Sequence, residues 1–222
     1  MSRTALVVGA TGLVGGHVVD QLLARDDRRV AVLVRRSLGK KSARLEEHVT
    51  DFDALVESAE LDASVGEVDD VFVCLGTTIK IAGSQERFRR VDHDYVVASA
   101  RAARAAGAKR LALVSSVGAD AGASTFYLRV KGETERDVRD LGFETLILAR
   151  PSFLVGEREQ ERFGERAGIA VASAFGWAMI GGLGKYRPIE ARRVAAAMIR
   201  AIDGGASGEA VLSYPELSAA EP

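Results

Sequence analysis

Thr4-Ala-Leu-Val-Val-Gly-Ala-Thr-Gly-Leu-Val-Gly-Gly-His17 is the stretch whose reading decides the fold. Residues 5–8 form a short apolar run, the signature of a buried strand, and the run stops at Gly9. Glycines recur at Gly12 and Gly15, and residues 13–23 carry apolar side chains at helical spacing. A strand that turns tightly into a helix leaves unpaired N–H groups at the helix start. Those donors and the helix dipole favour an anion. Glycine suits such a turn because a side chain would block an approaching phosphate or clash at positive φ. The expected ligand is the pyrophosphate of a dinucleotide, with Gly9, Thr11, Gly12, Leu13, Val14 and Gly15 around it. The spacing is Gly-x-x-Gly-x-x-Gly rather than the commoner Gly-x-Gly-x-x-Gly, and an ordinary strand–helix turn is the plain alternative. The position after a strand and before a helix favours the ligand-binding reading.

Outward from this turn, apolar runs alternate with helical patterns along the chain. Strands are expected at 29–34, 70–75, 110–114, 145–149 and 210–213, with a weaker candidate at 44–49 because of Glu46 and Glu47. Helices are expected at 84–106, 126–141 and 191–202, stopped by Gly107, Gly142 and Gly204. The strands are near-continuous apolar runs, which fits strands covered on both faces. Their alternation with helices predicts an α/β fold built on a doubly wound parallel sheet. In such a sheet the ligand lies beyond the carboxyl ends of the strands. The loops that matter are therefore 9–15, 35–41, 76–81, 115–123 and 151–187. The rhythm breaks down between residues 151 and 190, which reads as a small C-terminal substrate lobe or lid within a single domain spanning 1–222. The tail, 216–222, is expected to fray.

Composition narrows the function classes. A chain of 222 residues with 47% hydrophobic content can bury a substantial core. The net charge is −1 with both signs interspersed, which argues against a nucleic-acid surface. Cys74 is the only cysteine, so neither a disulfide framework nor a thiolate metal site is expected. His17, His48 and His93 are scattered and suggest no metal centre. The apolar stretch 169–183 is interrupted by glycine and short of the ~20 residues a membrane span needs. With no leader pattern before Thr4, the expectation is a soluble, cytoplasmic protein.

Two further clusters carry chemistry. The strand at 29–34 runs into Arg35-Arg36, about 20 residues past the glycine turn, where a dinucleotide fold reads the ribose. An acidic residue there favours NAD. Arginine accommodates a 2′-phosphate, so NADP (NADPH) is the expected cofactor; a solvated basic turn is the alternative. Tyr127 and Lys131 stand four apart on a predicted helix and share a face. Ser115 and Ser116 end the strand before it. Tyr127 could give a proton to a carbonyl oxygen as hydride arrives, or take one from an alcohol, with a serine hydroxyl holding that oxygen. The charge of Lys131 would stabilise the tyrosinate left behind.

The Ser, Tyr-x-x-x-Lys set and the glycine spacing resemble the short-chain dehydrogenase/reductase family, in its atypical branch. Within that branch the resemblance is to the Tat-interacting-protein-like oxidoreductases. It extends over essentially the whole chain. It rests on Gly9-Ala-Thr-Gly-Leu-Val-Gly15, Cys74-Leu-Gly-Thr-Thr78, Val114-Ser-Ser116, Tyr127-Leu-Arg-Val-Lys-Gly-Glu133 and Arg150-Pro-Ser-Phe-Leu-Val-Gly156. The resemblance implies a Rossmann fold and a catalytic set of Ser116, Tyr127 and Lys131, with Lys131 also on the cofactor. It would put Asp51 and Phe52 near the adenine, Leu75, Gly76 and Thr77 along the cofactor, and Pro151 and Phe153 beside the nicotinamide. Many family members also use an asparagine on the helix after the fourth strand. This chain has none, and Asp92 or His93 lies in the matching region.

The function expected on these grounds is an NADP-dependent oxidoreductase acting on a small carbonyl or alcohol. Two alternatives stand beside it: a dinucleotide-binding regulatory or assembly protein with little turnover, and an isomerase or epimerase with a tightly held cofactor. Phe163, Phe175, Trp177, Met179 and Tyr186 in the lobe suit an apolar or aromatic substrate, or else simply pack the lobe. The sequence leaves the substrate's identity and the oligomeric state open.

Overall fold

The structure, a computed structural model, describes residues 3–156, 186–205 and 207–221. In chain order the elements are β1 (Arg3–Val8), α1 (Leu13–Leu23), β2 (Arg28–Val34), β3 (Leu45–Val49), α2 (Phe52–Ser58) and β4 (Asp70–Val73). Next come α3 (Ile79–Ala82), α4 (Gln85–Arg89), a π-turn (Arg90–Asp94) and α5 (Tyr95–Ala105). They are followed by β5 (Arg110–Val114), α6 (Phe126–Arg139), β6 (Thr145–Ala149) and β7 (Leu154–Val155). The last are β8 (Ile189–Glu190), α7 (Ala191–Asp203), β9 (Gly208–Leu212) and α8 (Tyr214–Ser218).

Seven strands form one parallel sheet in the order β3-β2-β1-β4-β5-β6-β9. β7 and β8 pair in parallel as a separate ribbon, Leu154 opposite Ile189. The strands are apolar without alternation because both faces are covered. Ala5, Val7, Val30, Val32, Phe72 and Ile147 pack toward α1 and α7. The intervening Leu6, Val8, Ala31, Leu33, Val71 and Leu111 pack toward α2 and α5. This is the expected doubly wound sheet. The chain leaves β1 toward β2 and β3, then returns to the other side of β1 as β4. The order therefore reverses between β1 and β4, and a crevice opens beyond their carboxyl ends.

The structure bears out some finer expectations and corrects others. The weak strand at 44–49 is real: β3 is an edge strand, where Glu46 pairs with Arg29 at 2.6 Å and Glu47 accepts from the Leu38 N–H at 3.1 Å. The helix expected at 84–106 is helical throughout 85–105 but widens into a π-turn at Arg90–Asp94 between α4 and α5. The short segments α2, α3 and α8 lie outside the helices expected from the pattern; α2 and α3 are capped by side chains, Asp51 accepting from Asp53 N and Thr78 from Ile81 N. The tail does not fray through residues 214–221. Leu217 is fully buried, and Glu216 accepts from the N–H and hydroxyl of Ser213 at 2.9 and 2.7 Å. Most of the proposed lobe, including Phe163, Phe175, Trp177 and Met179, lies outside the described residues. Among the described residues, no helix is long and apolar enough to cross a membrane.

Candidate functional site

The glycine turn behaves as three different sites rather than one. Gly9 has φ +89°, and a Cβ there would lie 2.6 Å from the backbone carbon of Cys74. It lets β1 pass close to the end of β4. A Cβ on Gly15 would lie 2.3 Å from the carbonyl oxygen of Gly9, so that glycine packs the helix onto the turn. Gly12 begins α1 at φ −79°, and no side chain caps the helix there. Its N–H donates to the Gly9 carbonyl at 2.9 Å, which closes the turn. The open start of α1 faces a cleft of about 860 Å³ lined by Gly9, Thr11, Gly12, Leu13 and Val14. An uncapped helix start on a cleft of this size fits a dinucleotide pyrophosphate.

Across the cleft, α6 presents both Tyr127 and Lys131 to the lining. The 120–121 loop can pack directly on α6 because Gly132 carries no side chain: a Cβ there would fall 2.1 Å from the Ala121 nitrogen. Tyr127 is 36% exposed, and its ring packs on that of Phe88 with centroids 5.6 Å apart. Lys131 is buried, and its Nζ lies 2.8 Å from Oδ1 of Asp92, which is only 1% exposed. The pair is ionic but off the line of a hydrogen bond at Oδ1. The other oxygen of Asp92 accepts from the Thr77 N–H at 2.8 Å.

Both serines line the cleft, but only one hydroxyl is committed elsewhere. Ser115 Oγ donates to the buried carboxylate of Glu135 at 2.5 Å, and Arg150 donates to the same group through Nε at 2.9 Å. Ser116 Oγ has only a long 3.4 Å contact to the Val117 carbonyl. Glu135 therefore ties the ends of β5 and β6 to α6 and leaves Ser116 to the cleft. Cys74 also lines it, and burial pushes its thiol up to about 12.

The far end of the cleft is aromatic and charged. Phe52 and Tyr95 pack with ring centroids 5.4 Å apart. The Tyr95 hydroxyl donates to Asp53 at 2.9 Å, and Arg90 pairs with the same carboxylate at 2.7 Å. Hydrogen bonds from Arg90 and Tyr95 hold the Asp53 carboxyl below its ordinary range. Of the residues the sequence places on the cofactor, Arg35, Leu75, Gly76, Thr77 and Pro151 line the cleft, and Gly15, Arg36, Asp51 and Phe153 do not. Asp51 caps α2 instead, and Phe153 is 69% exposed. Asp53, Arg87, Arg90 and Tyr95 join the lining although nothing in the sequence patterns pointed to them, beside Thr78 and Ile81 of the 76–81 loop. Thr78 and Ser84, N-caps of α3 and α4, are the available sequence signal for the segment that carries most of them.

Comparison with known proteins accords with this geometry. Residues 9–203 match a family model described as NAD(P)H-binding. The chain is 36% identical over 212 residues to Protein fmp52, mitochondrial, of Aspergillus fumigatus, covering 92% of this chain and 90% of that protein. It is 38% identical over 168 residues to Protein HTATIP2 of Rattus norvegicus, covering 74% and 68% respectively. The Bordetella bronchiseptica enzyme WbmH, solved in complex with NAD+, superposes with a TM-score of 0.68 at 16% identity, covering 96% of this chain and 76% of that one. The expectation of a cytoplasmic protein is corrected by these comparisons, because the fungal relatives are named mitochondrial. An apolar first run and a net charge near zero describe a fold and its solubility, and carry no address. The glycine turn, the Tyr127/Lys131 face and the family match together place this chain among the NAD(P)H-binding, atypical short-chain dehydrogenases/reductases.

Proposed function

We propose that the protein is an NADPH-dependent oxidoreductase that interconverts a small carbonyl compound and its alcohol, with Tyr127 as acid and base. The observation that carries this reading is the convergence of Ser116, Tyr127 and Lys131 on the cleft that also receives the uncapped start of α1. The N–H groups at Leu13 and Val14 would hold the pyrophosphate. Arg35, in the cleft lining, would meet the 2′-phosphate, and Phe52 with Tyr95 would pack against the adenine. When bound, the nicotinamide supplies or accepts the hydride.

The chain's own groups handle the oxygen. In reduction, the Tyr127 O–H bond breaks toward the substrate oxygen as negative charge builds there, and a new O–H bond forms on the product. Ser116 donates a hydrogen bond to the same oxygen and fixes its position. In oxidation, the tyrosinate takes the alcohol proton back. Tyr127 and Leu154 give this end of the cleft an apolar wall, which suits an apolar or aromatic substrate.

The test is Tyr127→Phe, which keeps the ring on Phe88 and removes only the hydroxyl. Against a panel of aldehydes, ketones and quinones with NADPH, the variant should lose about 10²–10⁴-fold in reduction rate while NADPH affinity holds. Undiminished turnover in the variant would refute the assignment of Tyr127. A panel in which the wild type turns nothing over, yet binds NADPH, would favour the regulatory binding protein.

A further inference from the structure

The helical segment 85–105, after β4, is not a regular α-helix throughout. At Arg90–Asp94 it widens into a π-turn, a feature common at functional sites. The π-turn projects Asp92 inward, and the residue is 1% exposed. Its carbonyl accepts from the Thr134 hydroxyl at 3.0 Å, which pins the turn to α6. Its carboxylate reaches two elements at once, the Thr77 N–H at 2.8 Å and the Lys131 ammonium at 2.8 Å. Between them lies Gly76, where a Cβ would stand 3.6 Å from Asp92 Oδ1 and 3.9 Å from Lys131 Nζ.

We propose that Asp92 is a positioning residue that fixes the Lys131 ammonium beside the Gly76–Thr77 turn and cancels part of the charge Lys131 presents to Tyr127. A buried carboxylate in direct contact offsets a cation far more than water does, because the surroundings screen the pair poorly. An amide at this position would hold the Thr77 N–H without supplying the charge. The other charged groups around the pair are engaged elsewhere or stand toward solvent. Arg89 pairs with Glu133, Arg90 with Asp53 and Asp94, and His93 lies between Asp94 and Asp137. Glu135, on α6, is held by Arg150 and Arg139, while Arg87 is exposed at the cleft.

This inference rests on Tyr127 as the proton donor, but its readout does not need turnover. Tyrosinate formation is followed by ultraviolet difference titration of the full chain, and the Tyr127 signal is obtained by subtracting the matched Tyr127→Phe protein. In Asp92→Asn the Tyr127 midpoint should fall by about one pH unit, the shift an unbalanced neighbouring cation produces. In a Lys131→Gln background the starting midpoint should lie higher, and adding Asp92→Asn should still lower it, because the fields of the two charges at Tyr127 add. The pH at which alcohol oxidation turns on should move down in parallel. An unchanged or raised midpoint in folded Asp92→Asn would overturn the proposal. Should Asp92→Asn not fold, Asp92→Glu keeps the charge and moves it: a displaced midpoint supports the proposal and a wild-type midpoint overturns it. A wild type that turns over no substrate would count against the proposed function alone.

Discussion

The two ends of the parallel sheet use buried charge in opposite ways. At the amino end, Asp70 is fully buried where β4 begins, between β1 and β5. It receives Arg3 at 2.8 Å, Arg28 at 3.2 Å and Arg110 at 2.5 Å. Arg28, itself 1% exposed, also meets Asp203 at 2.7 Å and Asp27 at 2.5 Å. Burial opposes its charge, but the hydrogen bonds it donates to Asp27 and Asp203 raise its basicity above the ordinary arginine range. Every charge there is answered within the fold, and the network ties β1, β2, β4, β5 and α7 together. At the carboxyl end, the buried pair Asp92–Lys131 and the exposed pair Asp53–Arg90 line an open cleft, flanked by glycine backbone and the uncapped start of α1. The difference teaches that burial of charge is not by itself a mark of function. Only the carboxyl-end pairs also face space that a ligand can occupy.

The sharpest way to break this contrast is Asp70→Ala. Removing the shared anion leaves Arg3, Arg28 and Arg110 facing one another, and breaking a buried network of this kind costs about 3–5 kcal/mol. Chemical denaturation should show that loss, while the protein that remains folded binds NADPH as the wild type does. A variant of wild-type stability, or one that is folded but fails to bind, would erase the division between the two ends.

A smaller effect sharpens the other side. Arg35→Ala should leave stability unchanged, because Arg35 is exposed at the end of β2. It should weaken NADPH by roughly 1.5–3 kcal/mol, the value of a charge-assisted contact, with little change for NADH. Calorimetry with both cofactors decides it, and equal losses for the two would remove Arg35 from the 2′-phosphate.

The smallest effect is acid sensitivity at the amino end. The hydrogen bond from Arg28 holds the Asp27 carboxyl below its ordinary range. Its contribution to stability is therefore complete above the unfolded value of about 3.9 and is lost as pH falls through the lower folded value. Asp27→Asn should flatten the acid limb of a melting-temperature-versus-pH profile while leaving the neutral region nearly parallel to wild type. An identical acid limb would mean that Asp27 adds nothing to the network.

Much of the fold is legible in the chain alone. The order of strands and helices follows from apolar runs and their punctuation by glycine, and 110–114 and 145–149 coincide with β5 and β6. Tyr127 and Lys131 can be placed on one face because residues four apart on a helix are neighbours. The π-turn is not legible, since residues 84–106 carry an unbroken helical pattern and only the Thr134 contact from α6 shows where it opens. Which of the Ser115 and Ser116 hydroxyls is engaged within the fold is equally invisible. It depends on Glu135, which the crossover through α6 brings back beneath β5.

The sequence by itself determined the parallel sheet, the glycine turn and the Tyr127/Lys131 face, because each is written in local periodicity and backbone sterics. Only the tertiary structure decided which charges meet. Asp92 lies 39 positions before its lysine, and Asp70 finds Arg110 because strand register sets them side by side. Ion pairing depends on distance in space and on the exclusion of water, and neither quantity is encoded in the spacing of residues along the chain.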